Sequence, residues 1–113
     1  SRYIPERSNR DIPIYFFAYW ITIINNGEKQ AKLLNRFWKI TDADGRVNKV
    51  QGEGVIGEKP LIYPGRMFEY NSFCPLPTEF GFMEGHYEME YSDKSTFKIE
   101  VPQFRLAAPN SAN

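Results

Sequence analysis

The chain has 113 residues, of which 42% are hydrophobic and 16% are aromatic. This length and composition predict one folded domain and are not typical of a disordered segment. The 14 basic and 14 acidic side chains give a formal net charge of zero, which removes the electrostatic argument for a nucleic-acid or anionic-membrane partner.

The first 13 residues predict an N-terminal arm, because this stretch is charged and contains two prolines. One short strand is expected near residues 2–4. Arg2, Arg7 and Arg10 form a local basic cluster in the arm. These arginines either contact an anion or are simply solvated.

Residues 15–25 predict the strongest strand, because they are aromatic or β-branched and end at an Asn-Asn-Gly turn signal. Neither face of this strand is plainly polar. Either the strand is covered on both sides, or one face is left for a partner. The second face carries Phe16, Ala18, Trp20, Thr22 and Ile24.

Residues 33–42 predict a second long strand, which a turn at residues 42–45 connects to a strand at 47–51. Strict alternation places Leu34 with Trp38 on one face and Leu33 with Phe37 on the other.

Shorter strands are expected at residues 60–63 and 67–73. Pro75 and Pro77 should end the second of these, since proline cannot donate to a strand ladder.

Residues 85–91 and 96–101 predict a hairpin, because apolar and polar side chains alternate in both segments. In an antiparallel pair, residues directly across from each other lie on the same face of the sheet. For the apolar side chains of both strands to point inward, the residue numbers of each such pair must add to an even total. Lys98 should therefore lie across from Glu88 or Glu90.

About seven short strands without helical periodicity predict an all-β fold, an antiparallel β-sandwich of the immunoglobulin or fibronectin type III kind. An up-and-down barrel is the alternative. Residues 1–113 should form a single domain, with residues 1–13 as the arm and 107–113 as a flexible tail.

Gly52, Gly54 and Gly57 have the G-x-G-x-x-G spacing of a dinucleotide-binding turn. That site needs a helix after the glycines, and the chain up to Pro60 is too short for one. The loop could instead form an anion-binding nest for phosphate or pyrophosphate with Lys49 and Lys59. The other interpretation is a loop between sheets whose glycines need positive φ.

No catalytic or metal-binding group is recognisable. Asp42, Asp44 and Gly45 do not have the EF-hand spacing and predict a hairpin turn held by an Asp side chain. Cys74 and His86 are the single cysteine and histidine, without a second ligand pair at metal spacing. We therefore expect no enzyme activity, no metal and no cofactor, with His86 at the surface.

A cytoplasmic location is expected. One cysteine cannot form an internal disulfide, and no signal peptide is recognisable. No apolar run approaches the about 20 residues that span a bilayer.

Aromatic and proline residues predict a protein-binding surface, because interface cores favour aromatic over charged side chains. The alternative is a loop packed on its own sandwich. The candidates are Trp20, Phe73, Pro75, Leu76, Pro77, Phe80 and Phe82.

Several motifs in one order and spacing resemble the ApaG family over roughly residues 3 to 106. They include Tyr15-Phe16-Phe17-Ala18-Tyr19, Gln51-Gly52-Glu53-Gly54-Val55, Cys74-Pro75-Leu76-Pro77 and Val101-Pro102-Gln103-Phe104-Arg105-Leu106.

The resemblance implies a fibronectin type III-like sandwich in its free-standing bacterial form. It implies no established enzymatic activity, a protein-interaction role, and an association with cobalt and magnesium handling. Phe37 stands where many members have histidine, and Trp20 stands where a basic or polar residue is common. Roles of those family residues do not transfer.

The sequence thus predicts a non-catalytic binding module with a protein partner, and a second copy of the chain is a candidate partner. The alternative function is binding of phosphate, pyrophosphate or a metal–phosphate complex at the glycine loop.

Overall fold

A computed structural model describes residues 1–9 and 11–109 as an all-β chain. All strand pairs are antiparallel and form two sheets, one of three strands in the order β1-β2-β6 and one of five. The larger sheet has the order β4-β3-β7-β8, with β5 also paired to β3. The predicted sandwich is confirmed. The strands are β1 Arg2–Asn9, β2 Ile14–Ile24, β3 Ala31–Asp42, β4 Val47–Glu53, β5 Leu61–Ile62, β6 Met67–Leu76, β7 Phe80–Tyr91 and β8 Thr96–Ala107.

The core lies between the two sheets and is rich in aromatic rings. The first face of β2 is buried, whereas Trp20 and Ile24 on its second face are exposed. Of the two alternatives for β2, the correct one is therefore that one face of the strand is left uncovered by the rest of the chain. The largest fully buried side chains are Tyr87, Phe17, Leu33, Met83, Met89, Leu106, Val55 and Cys74.

The predicted faces of β3 are wrong at its start. Leu33 and Trp38 are both buried in the core, although strict alternation puts them on opposite faces. The register against β7 shifts between Leu33 and Asn35. This bulge inserts one residue and reverses the alternation, so both large side chains point inward.

The predicted end of β6 is also wrong, because the strand continues to Leu76 and includes Pro75. Pro75 lies across from Phe16 of β2. β6 is an edge strand of the smaller sheet, where a proline can direct its missing N–H away from the neighbour.

The β7–β8 hairpin has the predicted register, with Glu88 across from Lys98. Both strands are longer than expected. Ala107 belongs to β8, and buried Ala108 donates its backbone N–H to the carbonyl oxygen of Glu79 at 2.8 Å. The tail predicted from residue 107 is therefore wrong at its first two positions, and residues 110–113 lie outside the described part.

The predicted arm is largely strand, since β1 runs to Asn9 rather than ending near residue 4. It pairs with β2 from Arg2 across Ala18 to Asn9 across Ile14. Arg10 of the predicted basic cluster lies outside the described residues.

Candidate functional site

The glycine loop begins at the end of β4 and closes on itself. Gly54 donates its N–H to the carbonyl oxygen of Leu34 at 2.7 Å, and Val55 donates to Glu58 at 2.8 Å. Glu58 returns a hydrogen bond to Val55 at 2.9 Å. Three of the loop's donors, the N–H groups of Gly54, Val55 and Glu58, are thus engaged by the protein itself.

Positive φ at the loop occurs at Gly54 and Gly57, with values of 61° and 78°, and at Ile56, with 43°. Two successive positive values at Ile56 and Gly57 are those of a type I′ turn, which matches the twist of paired strands. The loop interpretation required this conformation at its glycines, and two of the three have it.

Gly52 is needed for space rather than for φ. It lies in the β4 ladder directly across from Arg36 of β3. A Cβ atom at Gly52 would lie 2.8 Å from Nη2 of Arg36. The Arg36 guanidinium uses this space to reach the loop, where Nη1 donates to the carbonyl oxygens of Glu53 at 3.0 Å and Gly54 at 2.9 Å.

The two lysines predicted to assist anion binding lie apart. Lys59 pairs with Glu53 at 3.2 Å. Lys49 lies across from Lys39 and three residues before Gly52, about 10 Å along an extended strand. Lys59 is therefore the lysine nearer to the turn, and its charge is partly offset by Glu53.

The outer face of the smaller sheet carries several apolar side chains, which we call the aromatic face. The polar pair of Thr22 and Glu69 interrupts it between Trp20 and Met67. Trp20 is 56% exposed and Phe73 is 46% exposed. The cross-strand pairing of β2 with β6 brings these side chains together. The aromatic face consists of Phe16, Trp20, Ile24, Met67, Phe73 and Pro75.

Arg7 of β1 lies over one end of this aromatic face. Its guanidinium carbon is 4.6 Å from the centre of the Phe16 ring and 5.3 Å from that of Phe73. Such contacts are cation–π interactions. Trp20 lies at the other side of Phe73, beside a shallow depression of about 430 Å³ bounded by Thr22, Glu69 and Asn71.

The predicted partner surface is not a single surface. Leu76 is buried, because β6 extends far enough to turn this side chain inward with Cys74. Phe80 and Phe82 lie in β7 of the other sheet, where they contact each other at 6.3 Å. The sheet crossing at residues 77–79, which includes exposed Pro77, separates them from the aromatic face.

Two buried tyrosines join the sheets beneath the aromatic face. The hydroxyl groups of Tyr70 and Tyr87 form a hydrogen bond, and their rings meet edge to face at 6.4 Å. Burial raises the pKa of Tyr70 to about 12 and raises that of Tyr87 further. Both hydroxyls are therefore neutral donors and acceptors across the physiological range.

Cys74 and His86 are not brought together. Cys74 is buried between the sheets, and burial raises the pKa of its thiol to about 11. The His86 ring is half-buried and stacks on Phe37 at 4.4 Å. Since His86 belongs to the predicted polar face of β7, the sheet lies between the thiol and the imidazole.

The turn at residues 42–45 has the predicted structure. Oδ1 of Asp42 accepts hydrogen bonds from the backbone N–H groups of Asp44 at 2.9 Å and Arg46 at 3.0 Å. Gly45 has a φ of 82°. In residues 1–9 and 11–109, no group of three His, Cys, Asp or Glu side chains is placed to hold a metal ion. The same residues form no helix long and apolar enough to cross a membrane.

A groove of about 440 Å³ lies between the sheets. Ile23, Met89, Phe97 and Ile99 contribute to its apolar wall. Its position follows from β1, which reaches only Ala18 on β2. The end of β2 therefore has no neighbour on that edge among the described residues.

Arg36 is a site residue that the sequence did not reveal. Arg7 was predicted as part of a basic cluster that contacts an anion or is solvated, and instead it lies over the rings of Phe16 and Phe73. The position of Arg36 could have been found from the predicted hairpin. Counting opposed residue pairs away from the turn at residues 42–45 places Arg36 across from Gly52. The sequence gives no such signal for the position of Arg7 over the aromatic face, because that position depends on the pairing of β1 with β2.

The family model of the ApaG domain matches residues 5–91. The chain belongs to the ApaG family. It is 50% identical over 107 residues to Protein ApaG of Rhodopseudomonas palustris strain TIE-1, covering 95% of this chain and 82% of that relative. It is 44% identical over 110 residues to Protein ApaG of Pectobacterium carotovorum, covering 97% and 88%.

A solved structure supports the same assignment of this ApaG-family chain. The crystal structure of an ApaA protein from Bordetella pertussis superposes with a TM-score of 0.91 at 43% identity. The match covers 97% of this chain and 89% of that one. The family resemblance stated from the sequence is thereby confirmed.

Proposed function

We propose that this ApaG-family chain is a non-catalytic protein-binding module and that the aromatic face is its binding surface. The single observation that carries the proposal is the exposure of Trp20, at 56%, on a sheet face with exposed Ile24, Met67 and Phe73. Exposed apolar side chains grouped on one surface of a small domain favour an interaction site.

The geometry of the aromatic face supports a protein rather than a small-molecule partner. The face is a sheet surface, not a concave cavity enclosed by several elements. A large aromatic side chain beside a shallow depression suits the central contact of a protein interface. Arg7 at one end and Glu69 between Trp20 and Met67 provide charged groups of both signs on this face, which a protein partner can complement.

Affinity capture with substituted proteins tests this proposal. Trp20→Ser and Phe73→Ser should each remove the same proteins from those captured by the unsubstituted chain. Tyr63→Ser is the matched control, since Tyr63 is 54% exposed in the loop after β5. If the captured proteins are unchanged by the first two variants, or are lost equally with Tyr63→Ser, the aromatic face is not the binding surface.

A second proposed function is binding of phosphate, pyrophosphate or a metal–phosphate complex at the glycine loop. The turn at Ile56 and Gly57, with Lys59 nearby, supports it. We rank it second because the N–H groups of Gly54 and Val55 are engaged within the protein. Titration with pyrophosphate, with and without Mg²⁺, should shift the amide resonances of Gly52, Gly54 and Gly57; unchanged resonances would exclude it.

A cytoplasmic location is part of the proposal. It is supported by Cys74, which is a free and buried thiol, as expected for a reducing compartment.

A further inference from the structure

β4 is an open edge of the larger sheet. It pairs with β3 on one side, and no strand of the described chain pairs with its other side. Its seven residues are exposed except for half-buried Gly52. Such an edge presents backbone N–H and C=O groups that can pair with another strand.

The charges on β4 determine which strand would fit. Lys49, Gln51 and Glu53 lie on one face, because side chains alternate along a strand. Lys49 lies across from Lys39, and like charges in this position are unfavourable. Lys39 is paired with Glu84 at 3.6 Å, whereas Lys49 has no ion-pair partner among the described residues.

We propose that β4 pairs antiparallel with β4 of a second copy about a two-fold axis at Gln51. This register places Lys49 of each copy across from the partner's Glu53. It therefore forms two identical pairs of opposite charge, as the symmetry of a two-fold interface requires.

The neighbouring registers that keep the same faces together are electrostatically worse. A two-fold axis at Lys49 sets this lysine against the partner's Lys49. An axis at Val50 sets Lys49 against the partner's neutral Gln51, and an axis at Gly52 sets Glu53 against the same neutral residue. Of these four registers, only the one centred on Gln51 places Lys49 across from the partner's Glu53, so charge complementarity selects it.

The pairing would join the four-strand path β4-β3-β7-β8 of each copy into one continuous sheet. The aromatic face belongs to the other sheet and stays accessible. Self-association through β4 is thus separate from the protein binding proposed above.

Charge reversal tests this pairing by sedimentation velocity over a concentration series. The unsubstituted chain should associate reversibly to a dimer. Lys49→Glu alone and Glu53→Lys alone should each raise the dissociation constant about tenfold or more, because two attractive contacts become two repulsive ones.

The two variants complement each other in a mixture. An equimolar mixture of Lys49→Glu and Glu53→Lys restores both opposite-charge pairs and should form a heterodimer. The double variant K49E/E53K should also associate as the unsubstituted chain does. Lys29→Glu and Glu28→Lys are controls of the same charge change at other exposed positions and should leave association unchanged.

Thiol trapping tests the register independently, in a Cys74→Ala background. With Gln51→Cys the two thiols face each other across the axis, a separation that a disulfide can bridge. Oxidised glutathione should cross-link this variant much faster than Asn48→Cys on the same strand. A monomer at all concentrations, a mixture that does not associate, or equal cross-linking at both positions would overturn the proposal.

Discussion

Arg36 of β3 donates a 2.9 Å hydrogen bond from Nη1 to the carbonyl oxygen of Gly54. The same nitrogen lies 3.0 Å from the carbonyl oxygen of Glu53. The half-buried Arg36 guanidinium therefore holds the glycine loop by donating to two of its carbonyl oxygens. The carbonyl oxygen of Leu34 holds the loop by accepting the N–H of Gly54. The loop's conformation is set from both sides by β3.

Replacing Arg36 should loosen the glycine loop before it affects the core. Arg36→Met removes the charge-assisted contacts and should lower the free energy of unfolding by about 1.5–3 kcal/mol. Arg36→Lys should restore little, since an ammonium group lacks the planar set of donors. Amide hydrogen exchange is the measurement: Gly54 and Val55 should exchange faster in both variants. Unchanged exchange at these amides would contradict the role of Arg36.

Gly54→Ala should be more damaging than Gly57→Ala, although both glycines have positive φ. A Cβ at Gly54 would lie 2.1 Å from the carbonyl oxygen of Glu58, whereas nothing lies within 4 Å at Gly57. We expect a loss of about 1 kcal/mol at Gly57 from backbone conformation alone and at least about 3 kcal/mol at Gly54. Urea denaturation of both variants measures the difference; equal losses would refute the predicted clash.

The tyrosine pair should show strong energetic coupling. Tyr70→Phe or Tyr87→Phe alone leaves one buried hydroxyl without its partner and should cost about 1–3 kcal/mol. The double variant Y70F/Y87F removes both hydroxyls and should cost less than the sum of the single substitutions. A double-mutant cycle in urea measures this coupling. Additive losses would show that the hydrogen bond contributes nothing specific.

Stability should fall at alkaline pH through Cys74. Burial raises the pKa of its thiol from 9.0 to about 11, so the folded chain keeps a proton that the unfolded chain loses. The stabilisation is complete below pH 9 and is lost as the pH rises to about 11.

The loss that comes from Cys74 should be about 1 kcal/mol between pH 9 and 10, so Cys74→Ala should lose about that much less stability than the unsubstituted chain in this range. Both proteins should also lose stability as the pH approaches and passes 10, because burial raises the pKa of Tyr19, Tyr70 and Tyr87 above 10.0. Denaturant unfolding at a series of pH values tests this expectation. Parallel curves for the two proteins between pH 9 and 10 would contradict it.

The parts of the fold that the sequence predicted correctly are those with clean alternation. Glu88 lies across from Lys98 as expected, because both strands of that hairpin carry one apolar and one polar face. The turn at Asp42 was also predictable, since an Asp side chain accepting local N–H groups is a short-range arrangement.

The errors come from tertiary features without a local signal. The bulge after Leu33 has no glycine or proline to mark it. Pro75 continues a strand because β6 lies at a sheet edge, and sequence pattern does not show which strands are edges. That extension then turned Leu76 inward, which removed it from the predicted partner surface.

Photo-cross-linking in cells tests the aromatic face as a protein-binding surface most directly. A photoreactive phenylalanine derivative replaces Trp20 in one protein and Tyr63 in another, two positions with 56% and 54% exposure. Position 20 should give discrete adducts with other proteins, and these should disappear when Phe73→Ser is added, whereas position 63 should give none. Adducts that are equal at both positions, or absent at position 20, would contradict this function.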